Sequence, residues 1–340
     1  AIVQAEDELA AIGITVGAGW NGARAFTATS GPGMSLMQEF LGLAYFAEVP
    51  LVIFDIQRAG PSTGMPTRTQ QCDVMMCAFA SHGDTRHPLL FPANPKECFE
   101  MAITAFDLAD RLQTPVFVLS DLDIGMNDWM VPELTWDDNY RPDRGKVLGP
   151  EELAEMDRFI RYLDSDGDGI TYRTLPGEDP KGAYFTRGSG HNRYGAYTED
   201  SDAYQDVLDR LLVKWQTAKS LVPDAVLSRA GQPTKLGIVA YGSSDGAVIE
   251  ARDRLAERGI HADYLRIRAL PFTSEVEDFL HNHDTIFVVE QNRDAQMRSL
   301  LTLESADTAN RLVPILHYNG MPIPSECIVK GISAHQEAAA

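Results

Sequence analysis

Three groups of residues near the start of the chain could do chemistry. Glu8 stands in the run EDELAAIGITVGAG, on an otherwise apolar helix face. A carboxylate turned toward a core is costly unless paired or protonated, and a carboxyl held that way can take or give a proton. Glu6 and Asp7 precede it, acidic side chains also favour the exposed first turn of a helix, and only one of three adjacent acids can face inward. The second group is Ser30-Gly31-Pro32-Gly33, between a strand-like and a helical stretch. Backbone amides at such a turn can receive an anion or the polar edge of a ligand; the same sequence also serves as an ordinary connector. The third is Gln57–Thr69 (QRAGPSTGMPTRT), following the apolar run LVIFDI. The Arg58 guanidinium can grip a carboxylate bidentately, and the Ser62, Thr63 and Thr67 hydroxyls can add directed donors. A surface salt bridge beside a polar loop is the bland alternative. Position after a strand end favours a ligand site, because open parallel sheets gather ligands at the carboxyl ends of their strands.

The elements that must hold these residues read as α/β. Glu6 to about Val16 is a small-residue helix, Ala23–Thr29 a buried strand, and Met34–Phe46 an amphipathic helix. Leu51–Ile56 is a second buried strand, Pro95–Leu112 a helix and Pro115–Ser120 a third strand. Residues 131–232 differ, being rich in Pro, Gly, Asp, Tyr and Arg. Asp164–Thr198 reads as a long ordered loop of the kind that is usually functional or makes contacts. Ala203–Leu221 is a clear helix with apolar positions at Val207, Leu211, Leu212 and Trp215. From residue 233 to 332 the alternation returns, with strands at Leu236–Tyr241, Ala262–Ile267 and Thr285–Glu290 and a helix at Asp245–Arg258. Strand–helix–strand order implies parallel pairing with right-handed crossovers. Three regions follow: 1–130, 131–232 and 233–332.

Composition narrows the partners. The 340 residues are 44% apolar and carry a formal charge of −20, which speaks to solubility and makes nucleic acid and anionic membrane surfaces poor partners. No run reaches the roughly 18–20 apolar residues of a membrane span, and nothing reads as a signal peptide, so a cytoplasmic location is expected. The four cysteines, Cys72, Cys77, Cys98 and Cys327, lack the clustering of a disulfide framework or of a cluster held by this chain alone. The sequence begins without Met inside what reads as a helix, so the expectation is a piece of a longer chain.

Two motifs are decoys. Gly17-Ala18-Gly19-Trp20-Asn21-Gly22 matches the dinucleotide-binding glycine pattern, but a helix precedes it and a strand follows it, the inverse of what that fingerprint needs. It reads instead as a small-residue helix end packed close to the next strand. Asp164-Ser165-Asp166-Gly167-Asp168-Gly169 begins like a calcium loop, but the twelfth position is Leu175. A turn held by Asx-type hydrogen bonds is the simplest account, with a weaker cation site left open.

The long run GARAFTATSGPGMSLMQEFLGLAYFAEVPLVIFDIQRAGPSTGMPTRTQQCDV resembles the pyrimidine-binding domain of 2-oxoacid:ferredoxin oxidoreductase alpha subunits, of the 2-oxoglutarate type. DSDGDGITYRTLPG and KGAYFTRGSGHNRYGAYTED resemble the middle of that family. KLGIVAYGSSDGAVIEA, LRIRALP and IFVVEQNRDAQM resemble its transketolase-C-terminal-like domain. The resemblance implies an α/β fold with a pyrimidine-type thiamine diphosphate domain, its parallel sheet truncated, and a transketolase-C-terminal-like domain. It implies that Glu8 is the glutamate that hydrogen-bonds the cofactor's aminopyrimidine, that Ser30 and Gly31 sit against the cofactor, and that Arg58, Ser62, Thr63 and Thr67 meet the substrate. Arg58 and Thr67 then join Glu8 as catalytic residues.

The implied reaction is the oxidative decarboxylation of a 2-oxoacid, with the acyl group passing to coenzyme A and electrons to ferredoxin. Magnesium and a [4Fe-4S] cluster are expected on a separate beta subunit, near which ferredoxin docks, in a dimer of heterodimers. No metal is expected on this chain: Gly167-Asp168-Gly169 lacks the buried strand that precedes the metal–diphosphate motif of thiamine enzymes. The family's N-terminal Tyr-Pro-Ile-Thr-Pro-Ser-like stretch is not in this sequence, nor is the gamma domain that some members carry. Incomplete substrate pocket and no activity alone are therefore expected. A dehydrogenase or transketolase-like subunit, and a catalytically inactive structural subunit, are the alternatives.

Overall fold

Among the described residues, alternating apolar runs and small-residue helices produce ten strands. In chain order they are β1 (Phe26–Thr29), β2 (Leu51–Gln57), β3 (Leu89–Leu90), β4 (Pro115–Asp121), β5 (Val226–Ser228), β6 (Leu236–Tyr241), β7 (Asp263–Ile267), β8 (Ala269–Leu270), β9 (Thr285–Glu290) and β10 (Leu312–Leu316). The computed structural model describes residues 1–339 and arranges these strands in two five-stranded sheets, β1-β2-β4-β3-β8 and β10-β9-β6-β7-β5. Both sheets are parallel except at one edge, where β8 pairs with β3 and β5 with β7 in antiparallel fashion. β8 joins the first sheet from far along the chain and ties the two halves together.

Helices cover the sheets. Those of the first half are α1 (Glu8–Trp20), α2 (Gly31–Leu36), α3 (Gln38–Ala47), α4 (Val74–Ala78), α5 (Pro95–Leu112) and α6 (Leu122–Met126). α7 (Pro150–Glu155) and α8 (Ser201–Ala218) lie in the connecting segment. α9 (Asp245–Ala256), α10 (Ser274–Asn282), α11 (Gln296–Glu304) and α12 (Ser325–Ala339) pack on the second sheet. One apolar core runs across both sheets, joining Ile12, Leu41, Ile53 and Phe117 to Tyr241, Leu265, Val288 and Met297. A continuous core of this kind holds the sheets together without a linker. Among the described residues no helix is long and apolar enough to cross a membrane.

Four elements differ from the expectation. The stretch Ala23–Thr29, read as a buried strand, pairs only from Phe26, and only with β2. It is an edge strand, and Phe26 is 57% exposed, packed edge-on against Phe54 and Phe106. An edge strand needs helices over its faces to be buried, and the face carrying Phe26 is left partly open. The first helix starts at Glu8, not Glu6, because Asp7 caps it by accepting from the Ala10 amide at 2.8 Å. Ser30–Gly33 is less a turn than the cap and first turn of α2, and Met34–Phe46 is divided at Met37 between α2 and α3. Leu212, read as an inward position of α8, is 49% exposed, whereas Val207, Leu211 and Trp215 are buried.

The connecting segment lies against the first sheet's helices. Asp164–Thr198 is irregular apart from the short turn of 3₁₀ helix Pro180–Gly182. Buried charge fixes it: Glu48, fully enclosed, pairs with Arg210 and with the Lys214 ammonium at 2.8 Å, and its carbonyl accepts from Arg161 at 3.1 Å. Both decoys take the forms their local sequence favours. Gly17–Trp20 ends α1, and a Cβ at Gly19 would lie 2.3 Å from the Pro50 carbonyl oxygen, so glycine permits the close approach. Asp164 accepts from the Gly167 and Gly169 amides at 2.8 Å each, and the Lys146 ammonium sits 2.6 Å from Asp166 and 2.8 Å from Asp168. A lysine thus occupies the cationic position, and among the described residues no cluster of metal-ligating side chains forms.

Candidate functional site

The carboxyl ends of β1 and β2 carry the residues singled out by sequence. Glu8 is half-buried at the first turn of α1 and packs over Gly33 of α2. A Cβ at Gly33 would lie 2.0 Å from Thr29 Oγ1 and 2.8 Å from Glu8 Cγ, so only glycine lets α2 approach Glu8 this closely. Ser30 caps α2 with extended backbone (φ −139°) and makes no side-chain cap bond.

Past β2 the chain folds into a tight loop. Ala59 and Met65 form an isolated antiparallel bridge, the Ala59 amide donates to the Arg68 carbonyl at 2.8 Å, and the Arg68 amide donates to Met65 at 3.0 Å. Ser62 (φ 57°) and Gly64 (φ 56°) take left-handed backbone at the tip. At Gly64 a Cβ would lie 1.8 Å from the Ala59 carbonyl oxygen, so glycine is required there. The loop rests on the second half of the molecule, where a Cβ at Gly320 would lie 2.6 Å from Met65 Cε.

Between this loop and the second sheet lies a cleft of about 510 Å³. Of the residues expected from sequence, Gly31, Arg58 and Ser62 line it. Glu8 and Ser30 stand at the neighbouring strand end and do not line it, while Thr63 and Thr67 are exposed on the loop. Arg58 is half-buried, and its Nε is enclosed without a hydrogen-bond partner. The far wall comes from the second half: Asn292, Arg293, Asp294, Gln296 and Tyr318. A larger concavity of about 610 Å³ on the connecting segment is lined by Asp164, Asp200, Asp202, Asp206 and Asp209 among others. Asp200 there caps α8 by accepting from Ala203 at 2.8 Å. That concavity holds solvated acids and turn residues, not convergent chemistry, so the smaller cleft is the candidate site.

Sequence reasoning missed the floor of this cleft. Asp55 of β2 is wholly buried and Asp73, just before α4, is 8% exposed and lines the cleft. Burial pushes the Asp55 carboxyl well above its usual range, and the neighbouring Asp73 pushes it further. Burial likewise pushes Asp73 up to about 6, opposed by Cys72, Arg58 and the Gly31 amide. The Cys72 thiol is pushed up to about 12, again by burial first and by Asp73 second. A signal existed for Asp55, since one acid in the run LVIFDI has no solvent to face. Asp73 had none, because its burial depends on the second half. There the Gln71 amide donates to Gln291 at 2.8 Å, Asn292 Nδ2 donates to the Gln71 carbonyl at 3.0 Å, and Gln296 Nε2 donates to the Cys72 carbonyl at 2.7 Å.

Residues 1–150 match the family model described as pyruvate flavodoxin/ferredoxin oxidoreductase, thiamine diphosphate-binding. A split-gene transketolase (an inactive beta4 tetramer) shares the fold at a TM-score of 0.54 and 11% identity, covering 95% of this chain and 79% of that one. The family match and the fold therefore define a thiamine-diphosphate-type α/β protein with a transketolase-like fold. The 2-oxoglutarate synthase subunit KorA of Methanothermobacter thermautotrophicus is 34% identical over 299 residues, covering 85% of this chain and 75% of that protein. The 2-oxoacid:ferredoxin oxidoreductase subunit alpha of Saccharolobus solfataricus is 34% identical over 338 residues, covering 98% of this chain and 52% of that protein. The structure of a 2-oxoglutarate:ferredoxin oxidoreductase from Magnetococcus marinus, with 2-oxoglutarate, coenzyme A and succinyl-CoA bound, matches at a TM-score of 0.83 and 27% identity, covering 98% of this chain and 57% of that one. The chain belongs to the 2-oxoacid:ferredoxin oxidoreductase alpha-subunit family. It spans about half the length of several of the curated relatives it matches.

Proposed function

We propose that the chain works as the alpha subunit of an enzyme that oxidatively decarboxylates a 2-oxoacid, of the 2-oxoglutarate type. The acyl group passes to coenzyme A, carbon dioxide leaves, and the pair of electrons freed goes to ferredoxin. The observation that carries this reading is Arg58: a guanidinium at the carboxyl end of β2, its Nε enclosed and unpartnered, in a cleft of about 510 Å³ beside Ser62. Such a group binds a carboxylate through parallel charge-assisted hydrogen bonds. Ser62, held in place by the loop's backbone, adds a hydroxyl, and Thr63 and Thr67 reach substrate only if the exposed face of the loop is covered.

Thiamine diphosphate fits the neighbouring strand end, where Glu8 is half-buried and Gly33 leaves no room for a side chain between them. Glu8 would hydrogen-bond the aminopyrimidine ring nitrogen, and Ser30 and Gly31 would sit against the same ring. The bound cofactor supplies the nucleophilic carbon and the electron sink for decarboxylation. Glu8 holds or releases the proton that couples to it, Arg58 orients the carboxylate that is lost, and the Asn292–Gln296 wall limits water. A beta subunit carrying magnesium and a [4Fe-4S] cluster completes the site in a dimer of heterodimers, and ferredoxin docks near that cluster. A partner surface is supported by the stretch 126–136, in which Met126, Trp129, Met130, Val131, Leu134 and Trp136 are exposed.

Co-expression of the chain, within its native full-length alpha subunit, with its beta subunit and a coenzyme-A-dependent viologen-reduction assay across a panel of 2-oxoacids tests this. Reduction with 2-oxoglutarate whose kcat/KM falls about 10- to 100-fold in Arg58→Ala is the expected result. Assembly without reduction by any 2-oxoacid would sink the oxidoreductase reading in favour of a structural subunit.

A further inference from the structure

Asp55 and Asp73 are two buried carboxyls, the second raising the first, with few groups to compensate them. Asp55 lies opposite Thr29 of β1 and Leu119 of β4, in the middle of the sheet. Asp73 lies against α2, where a Cβ at Gly31 would be 2.8 and 2.9 Å from its two oxygens. The Asp73 amide donates to Gln57 Oε1 at 3.1 Å, which pins the residue to the end of β2. Its Oδ1 receives the Cys72 thiol at 3.7 Å, and Asp55 Oδ2 receives the Cys77 thiol at 3.7 Å. Thiols are weak donors. The remaining oxygens, Asp55 Oδ1 and Asp73 Oδ2, are enclosed with no partner.

The surrounding charges are few. Arg58, from the loop after β2, favours the Asp73 anion, but among the described residues it makes no direct ion pair with it. From the second half, Arg293 and Asp294 line the cleft and are spent on each other at 2.7 Å. Glu8 faces the next strand end across Gly33. Cys72 and Cys77, both pushed upward by burial, stay protonated and supply no charge. Two carboxyls in such a place cannot both be ionised. Burial therefore favours one shared proton on the pair, with the remaining charge on Asp73, the carboxyl that Arg58 favours as an anion.

We propose that the Asp55–Asp73 pair is a proton store beneath the cleft, and that docking of a 2-oxoacid carboxylate on Arg58 loads it with a second proton from solvent. The incoming carboxylate replaces Asp73 as the counter-charge of Arg58. Asp73 is then a buried anion beside another anion, and protonation relieves it. Nothing is oxidised and no bond other than O–H forms. The ligand class rests on the function proposed above; the geometry of the pair does not.

The linkage has a definite sign. Below about pH 6 Asp73 is protonated with or without ligand, and no proton moves. Above that, up to the higher pKa of the occupied site, binding takes up a proton and affinity falls by up to ~10-fold per pH unit. The effect appears in KM rather than kcat, because Asp73 acts on binding.

The test is calorimetry on the assembled complex with its beta subunit, using N-oxalylglycine, a 2-oxoglutarate isostere that resists decarboxylation. Titrations at pH 7 in PIPES and in imidazole, which differ in ionisation heat, report the protons exchanged. The expectation is uptake approaching ~1 proton per site, absent in Asp73→Asn while binding persists. KM for 2-oxoglutarate should rise with pH in the wild type and stay flat in the variant. Should Asp73→Asn not fold, the wild-type protein decides alone: its infrared difference spectrum should gain a protonated-carboxyl stretch on binding. Binding with buffer-independent heat and no such band overturns the proton store and leaves the function standing. A complex that neither binds the isostere nor turns over any 2-oxoacid removes the function and this inference with it.

Discussion

Glu48 and the Asp55–Asp73 pair are equally buried and chemically opposite. Glu48 faces Arg210 and Lys214, with Arg161 close behind, and their positive charge outweighs its burial and holds its carboxyl below the ordinary carboxylate range. Lys214, in turn, is lowered by burial to about 8 despite its partner. Asp55 and Asp73 meet two thiols, one unattached guanidinium and, at Asp73, the Gly31 amide, and burial drives both upward. Burial alone therefore says little. The supply of donors decides whether an enclosed acid acts as an anchor or retains unspent chemistry, and perturbed, undersupplied groups concentrate at functional sites. The anchor lies under the connecting segment, and the undersupplied pair lies under the cleft.

Breaking the anchor should have the largest effect. Glu48→Gln strands the Arg210 and Lys214 charges in the interior and should cost about 3–5 kcal/mol in urea unfolding, with KM for 2-oxoacid unchanged in the folded fraction. A midpoint within error of wild type would mean the segment is held by apolar packing instead. Arg58→Ala reverses the pattern: kcat/KM should fall about 10- to 100-fold, the worth of a charge-assisted pair, while the urea midpoint barely moves.

The pH dependence of stability sharpens the contrast because the signs differ. Glu48 is lowered on folding, so its contribution is present above the unfolded carboxylate pKa and is lost as pH falls below it. Asp73 is raised, so the folded state binds more protons and stability drops as pH rises from about 4 toward 6. Urea unfolding across that range should therefore find Asp73→Asn flatter than wild type by about 1–3 kcal/mol, and Glu48→Gln flatter only on the acid side. Calcium should have the smallest effect. Because Lys146 already sits between Asp166 and Asp168, roughly millimolar calcium should leave the thermal midpoint unmoved. A rise in that midpoint would show that the loop takes an ion.

Much of the fold could be read along the chain. Pro95–Leu112, Leu236–Tyr241 and Thr285–Glu290 begin and end where their caps and apolar runs place them. Arg58 could be found because an arginine after LVIFDI has a strand end to stand on. The short strands β3, β5 and β8 could not, since two or three residues carry no period and pair only because a neighbour is already there. The same limit explains Phe26: its run is apolar, but what packs over its face is not written in that run.

The sequence by itself determined the local devices: the Asp7 cap, the Asx turn at Asp164, and an acid placed in an apolar strand. These depend on neighbours within a few residues. Only the tertiary structure decided which acids are paired. Glu48 meets Lys214, and Asp73 is enclosed by segments beyond residue 290, at separations for which no local pattern has a period. A carboxyl's chemistry is set by the charges and donors around it in space, and those arrive only when the two sheets and the connecting segment close on one core.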